Sequence, residues 1–282
     1  MSDSPQQFTL VTPDGLMLKG RKWIPNDHLH GIVCLIHGLG EHCGRYQRPV
    51  LALTGAGYGV ISMDLRGHGI SDGIRGHTPS YETLMDDIQS LVTMAVAQFP
   101  ALPLVLYGHS LGGNLVLNFA LRRTIPLQGV IATSPWLQLS FAPPVWQMQL
   151  ARLLNKVWPS LSQSNRLDGT WLSHDPEEAR AHQYDPLVHA RISVRMFHSV
   201  QNAGQWALDN ARRFPVPLLL MHGTGDLITN WEASRDFAAL VPEQCTFKPW
   251  EKLYHELHHE QEWPEIQDFM LNWLQKLPRK LK

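Results

Sequence analysis

The chain has 282 residues, 44% of them apolar, with a formal net charge of −1 and no block of like charges. That describes one large globular core, with or without an insertion, and argues against a disordered chain, a nucleic-acid partner or an acidic docking surface. Three cysteines, Cys34, Cys43 and Cys245, are too few for a disulfide framework.

The N-terminal stretch MSDSPQQFTL has neither the basic nor the apolar region of a signal peptide. It leads into a predicted hairpin: Phe8–Val11, a Pro13-Asp14-Gly15 turn, then Leu16–Trp23. Ile32–Ile36 is a continuous apolar run that ends at His37-Gly38. Tyr46–Gly57 reads as a helix with a glycine stop, and Val60–Met63 as a further buried strand ending in DLRGHGISDG. Between Tyr81 and Phe99 the apolar residues Leu84, Ile88, Leu91, Val92 and Ala95 recur at helical spacing. Leu104–Tyr107 is again strand-like, and Leu111–Ala120 again helical, with Gly108-His109-Ser110-Leu111-Gly112-Gly113 between them. Strands at Gly129–Ala132, Leu218–Met221 and Thr246-Phe247 follow, with helices at Trp231–Leu240 and Glu262–Leu277. Strands alternating with helices predict a mostly parallel central sheet covered on both faces, an α/β fold.

One stretch breaks the alternation. Residues 136–213 show no clear strand, and Trp136–Trp158 is rich in Trp, Leu, Val, Phe and Met. The expectation is a helical cap at 136–213 inserted into a core made of 1–135 and 214–282, because a structureless loop of that length is rare. No apolar run reaches the roughly eighteen residues of a membrane span. The expected compartment is a reducing cytoplasm, with peripheral membrane contact through the cap left open.

In such sheets ligands sit beyond the carboxyl ends of the strands. Four predicted strand ends carry reactive or glycine-rich residues: His37-Gly38, Asp64, Ser110 and His222-Gly223-Thr224-Gly225-Asp226. A serine between two glycines at a strand-to-helix turn is a nucleophile elbow, and in that arrangement an acid and then a histidine follow along the chain. Asp226 is the best acid and His255 the best base, with His258 and His259 second, beside the expected start of the last helix. Asp209 and Asp236 are weaker acids because they fall inside helical stretches. In this reading Ser110 attacks a carbonyl, His255 takes its proton, and Asp226 holds the imidazole. The amides of Leu39 and Leu111 are candidate donors to the oxyanion. His109 and Arg45 either touch substrate or shape the elbow. Asp64, Arg66 and His68 more simply brace the loop after their strand. Fifteen histidines are scattered, and HELHH at 255–259 lacks the spacing of a zinc protease, so neither metal nor cofactor is expected.

The stretches IHGLGEHCGRY (36–46), MDLRGHGIS (63–71), GHSLGG (108–113), HGTGDLI (222–228) and LYHELHHE (253–260) together resemble the α/β-hydrolase superfamily. Within it they are similar to the monoacylglycerol lipase and lysophospholipase group, also grouped with serine aminopeptidase-like hydrolases. The resemblance covers nearly the whole chain except the cap. It implies Ser110, Asp226 and His255 as a catalytic triad, Leu39 and Leu111 as oxyanion donors, and Glu41, Arg45 and His109 near the polar end of the pocket. The expected activity is hydrolysis of a monoacylglycerol or similar single-chain lipid ester. A short-chain carboxylesterase or a lysophospholipase is the alternative. A peptidase is disfavoured, because no acidic patch for a substrate amino group is recognisable in the cap. A non-catalytic binding protein on the same fold is the reading from another class.

Overall fold

The computed structural model describes residues 5–26, 28–141, 144–165 and 167–278 and, along 145–148, the backbone alone. The first four residues and parts of the apolar stretch 136–158 therefore lie outside the described residues.

In chain order the strands are β1 (Gln6–Val11), β2 (Met17–Trp23), β3 (Gly31–Ile36), β4 (Tyr58–Met63), β5 (Leu104–His109), β6 (Leu127–Thr133), β7 (Ser162–Ser164), β8 (Arg191–Ser193), β9 (Leu218–Gly223) and β10 (Cys245–Trp250). Eight of them form one sheet in the order β1-β2-β4-β3-β5-β6-β9-β10. β1 and β2 make the predicted hairpin, and β2 joins β4 antiparallel; every other pairing in this sheet is parallel. β7 and β8 pair with each other, apart from the sheet. At three residues each they are too short to carry an alternating pattern, so sequence periodicity does not reveal them.

The helices are α1 (Gln47–Gly55), α2 (Tyr81–Gln98), α3 (Leu111–Arg122), α4 (Val145–Val157), α5 (Pro176–Tyr184), α6 (Val194–Asn210), α7 (Trp231–Ala239) and α8 (Trp263–Lys276). The central strands β3, β4, β5 and β9 are buried at every position, which is why they read as unbroken apolar runs. Side chains alternate between two packed layers. Ile32, Cys34 and Ile36 of β3 face Ile88 of α2, Leu115 of α3 and Phe237 of α7, while Val33 and Leu35 face Val50 of α1 and Met270 of α8. The residues read at helical spacing in α2 are the buried ones, and the Ser80 hydroxyl accepts the Thr83 amide at 3.1 Å to start that helix.

Residues 136–213 do not pack as one body. α6 contributes Met196, Val200 and Ala207 to the same apolar cluster as α2 and α3. The side chains of Asn114 and Asn118 on α3 donate to the Val200 and Ala203 carbonyls of α6 at 3.3 and 3.1 Å. Trp136, Leu137 and Ile192 also join that cluster, whereas among the described residues α4 and α5 contribute no buried side chain to it, and Leu154, Trp171 and Leu172 line the cavity beside Ser110.

The loop after β4 is braced as expected. Asp64 accepts the Cys43 and Ile70 amides at 2.9 and 3.0 Å. His68 Nδ1 bonds the Arg66 carbonyl at 2.9 Å. Arg66, 1% exposed, grips Asp87 at 2.5 and 2.7 Å and Asp14 at 2.8 Å.

Candidate active site

Ser110 stands between β5 and α3 with φ 55° and ψ −113°. A non-glycine residue with positive φ is strained, and here the surroundings hold it fast. Its amide donates to the Thr133 carbonyl at 2.9 Å, and its own carbonyl accepts the Asn114 and Trp136 amides at 3.0 Å each. The flanking glycines are required by space. A Cβ on Gly108 would lie 2.1 Å from the Gly112 carbonyl oxygen, and one on Gly112 would lie 2.0 Å from the Ile36 carbonyl oxygen. β3, β5 and α3 therefore meet at a point where only backbone fits.

Asp226 follows β9 and is buried. Its Oδ1 accepts the Ile228 and Thr229 amides at 2.7 and 3.0 Å. Its Oδ2 accepts from His255 Nδ1 at 2.7 Å, Thr229 Oγ1 at 2.8 Å and His222 Nε2 at 3.0 Å. Burial alone raises a carboxyl pKa, but the positive field of His255 and these hydrogen bonds reverse the sign and hold Asp226 far below the usual carboxylate range. The same pairing works in reverse on His255. Burial lowers it, while the charge and hydrogen bond of Asp226 lift it above its ordinary value. Because Asp226 only accepts, the hydrogen of neutral His255 sits on Nδ1 and the Nε2 lone pair is free.

Ser110, His255, Leu39, Glu41 and His109 line one cavity of about 870 Å³. The rest of its wall is largely apolar: Leu154, Trp171, Leu172, Ile192 and Phe197 from the 136–197 stretch, with Leu227 and Ile228 from the loop after β9. Asp226, Leu111 and Arg45 sit behind that wall. Leu111 is the first residue of α3, and among the described residues neither its amide nor that of Leu39 donates to another group of the chain. His109 packs its ring 4.8 Å from that of His255, and burial with the charge of His255 pushes it down to about 4.

Glu41 and Arg45 belong to a buried cluster that the sequence reading saw only in part. Glu41 Oε1 accepts the Gly38 amide at 2.6 Å and the Tyr46 hydroxyl at 2.5 Å. Arg45 lies 3.3 Å from Glu41 Oε2 and 3.0 Å from Glu256 Oε2. Burial opposes ionisation of both acids, yet the positive neighbours win and both carboxyls fall below their usual range, Glu256 the further. His258 stacks on Tyr46 with ring centroids 4.7 Å apart, and His259 bonds Glu256 at 2.5 Å. Both histidines lie in a short turn at Leu257–His259, ahead of the last helix, which begins at Trp263. Of the three candidate bases, His255 is the one that meets Asp226. Ligand atoms of Glu256, His258 and His259 lie within 4.8 Å of one another. A cation does not suit them, because the Arg45 guanidinium already occupies Glu256 and His259 is already paired with it. Asp209 and Asp236 are exposed, bonded to Gln205 and Arg235.

The loop that carries His255 is tied to the covering segment. The Glu256 amide donates to the Leu172 carbonyl at 2.7 Å, and the Ser173 hydroxyl to the His259 carbonyl at 2.9 Å. Fully buried Glu260 accepts the Tyr254 and His174 amides at 2.7 and 3.1 Å and bonds the His174 ring at 3.0 Å. The EL-x-x-E spacing after His255 was the available signal for Glu256 and Glu260. For His222 it was the HG pair at the end of β9. Nothing local marks Thr229.

Among the described residues no helix is long and apolar enough to cross a membrane. An uncharacterized abhydrolase domain-containing protein of Dictyostelium discoideum is 36% identical over 270 residues, and the alignment takes in 95% of this chain but 28% of that protein. A monoacylglycerol lipase of Mycolicibacterium smegmatis is 30% identical over 276 residues, 97% of this chain and 98% of its own. Among solved structures, a monoacylglycerol lipase of Paleococcus ferrophilus superposes with a TM-score of 0.84 at 37% identity, covering 91% of this chain and 98% of that one. The family described as serine aminopeptidase, S33 matches residues 27–262. With that match spanning six of the eight strands of the sheet, the elbow and the loops that carry Asp226 and His255, the chain belongs to this family of α/β-hydrolases.

Proposed function

We propose that the chain is a serine carboxylic-ester hydrolase that cleaves monoacylglycerols or similar single-chain lipid esters through an acyl-enzyme. The observation that carries the reading is that His255, held by buried Asp226 at 2.7 Å, lines with Ser110 the wall of an apolar cavity of about 870 Å³. The Ser110 hydroxyl attacks the ester carbonyl and gives its proton to His255 Nε2. His255 then protonates the leaving alcohol, and a water repeats the sequence to release the acid. Asp226 holds the tautomer and offsets the charge on the imidazolium. The amides of Leu39 and Leu111 receive the oxyanion, and loss of one such donor costs roughly 100- to 1,000-fold in turnover. Glu41 and His109 line the polar end of the cavity. Arg45 acts from behind, by holding Glu41.

Residues 136–193 form the cap in this reading, since α6 packs with the core. On α4 the side chains of Leu153 and Val157 are 59% and 76% exposed, as is Trp158 at 59% just beyond it, while Leu154 of the same helix lines the cavity. An exposed apolar stripe that continues into a substrate cavity suits a lipid surface. The chain is thus a peripheral membrane visitor that takes its substrate through α4.

The test is hydrolysis of p-nitrophenyl esters and monoacylglycerols of increasing chain length by the protein and by Ser110→Ala. Activity on medium and long chains, abolished in the variant, is expected. Activity confined to acetyl and butyryl esters moves the substrate to small soluble esters. Equal activity in the variant overturns the nucleophile. Leu153→Glu with Trp158→Glu is expected to slow hydrolysis of vesicle-borne monoacylglycerol and spare soluble esters.

A further inference from the structure

Asp226 faces two imidazoles. His222, fully buried at the end of β9, brings Nε2 to 3.0 Å from the same Oδ2 that His255 Nδ1 meets at 2.7 Å. The other nitrogen of His222, Nδ1, lies 2.8 Å from the hydroxyl of Ser234 on α7, also fully buried. An ionised carboxylate only accepts, so His222 Nε2 carries a hydrogen. In the neutral ring Nδ1 is then the acceptor, and the Ser234 hydroxyl donates to it. Ser234 thereby selects the tautomer of His222 that can bond Asp226.

We propose that His222, with its tautomer set by Ser234, is a positioning residue that fixes Asp226 Oδ2 and tempers the hold of that carboxylate on His255. The proposal rests on the triad reading above. Its physical basis is competition at one oxygen. Each donor on Oδ2 draws on the same negative charge, so a third donor weakens the grip on the imidazolium. Without His222, Asp226 binds the protonated His255 more strongly and the base is harder to free. The carboxylate itself stays aimed, because Oδ1 keeps two backbone amides and Oδ2 keeps Thr229 Oγ1 at 2.8 Å. The other charged and titratable groups that act on His255 are Glu256, Glu41 and the His109 ring at 4.8 Å. All remain in a His222 variant.

The experiment is the pH dependence of kcat/KM on a soluble p-nitrophenyl ester for the protein, His222→Leu, His222→Gln and Ser234→Ala, with thermal unfolding of each. His222→Leu is expected to raise the acid-limb pKa by roughly half a unit to one unit. His222→Gln returns a donor near the Nε2 position and is expected to restore the limb. Ser234→Ala frees the tautomer and is expected to shift the limb the same way by less. An unmoved limb in folded His222→Leu overturns the proposal, as does a Gln variant shifted as far as Leu. Should His222→Leu not fold, Ser234→Ala carries the test, and an unmoved limb there overturns the proposal. Ser110→Ala and Asp226→Asn run alongside. Full activity in those two is a failure of the triad, whereas their inactivity with an unmoved limb is a failure of the His222 role alone.

Discussion

Replacing Arg45 by Met tests the electrostatics of the buried cluster behind the cavity. The guanidinium is 3.3 Å from Glu41 and 3.0 Å from Glu256, and none of the three side chains is more than 5% exposed. Methionine keeps much of the volume and removes the charge, leaving two buried carboxylates that repel each other. Breaking a buried pair from one side costs about 3–5 kcal/mol. At about 2–4 °C per kcal/mol for a chain of this size, Tm falls by roughly 6–20 °C. The pH dependence fixes the cause. In the native protein Glu256 is held below its ordinary value against the effect of burial, chiefly by Arg45 and then His259. Its contribution is present above the unfolded glutamate pKa, about 4.3, and is lost as pH falls through the folded value. Without Arg45 burial dominates and the folded pKa rises. The variant then loses stability as pH rises through that value. The stability gap between the two proteins is therefore wider at pH 8 than at pH 5. Urea unfolding of both proteins at the two pH values measures it. A gap below about 1 kcal/mol, or one that does not change with pH, refutes the reasoning.

Gly112→Ala places a methyl 2.0 Å from the Ile36 carbonyl oxygen and 2.8 Å from that of His37. The elbow must move, so kcat is expected to fall by about 100-fold or more as the donors leave the oxyanion, with a loss of roughly 1–3 kcal/mol in urea unfolding. Since His255 must be neutral to accept a proton, and Asp226 lifts it above 6.5, kcat/KM is expected to rise with pH through an apparent pKa above that value. In Asp226→Asn the limb is expected to move down and kcat to drop about 10⁴-fold. Arg66→Ala strands buried Asp87, and neither residue lines the cavity, so about 3–5 kcal/mol of stability is expected to be lost with kcat of the folded enzyme unchanged.

The parts of this fold that were legible in the sequence are those governed by local rules. β3, β4, β5 and β9 announce themselves as apolar runs because both faces are covered, and α2 because its buried stripe keeps helical period. The elbow is legible because its backbone crowding tolerates only glycine at 108 and 112. Contacts between distant segments leave no such trace. Arg45 and Glu256 are 211 residues apart, and their pairing appears only once the chain is folded. Sequence left Arg45 either on substrate or shaping the elbow, near the polar end of the pocket; in the structure it pairs with Glu41 and Glu256 and does not line the cavity. The packing of α6 within the 136–213 stretch is hidden for a related reason. The apolar face of α6 resembles any amphipathic helix, and only its packing on Asn114 and Asn118 of α3 assigns it to the core side.

Residues 172–174 bond the loop of His255 through the Leu172 carbonyl, the Ser173 hydroxyl and buried Glu260. Lifting that end of the covering segment would strip hydrogen bonds from the loop and carry the imidazole out of line with Ser110. Among the described residues no such bond joins α4 to the His255 loop; Arg195 bonds the Asn155 side chain and carbonyl near the far end of α4 at 2.6 and 3.1 Å. Among the described residues the covering segment is thus bonded to the base's loop at residues 172–174 and not at α4. Hydrogen exchange is expected to be slow at the Glu256 amide and fast along α4.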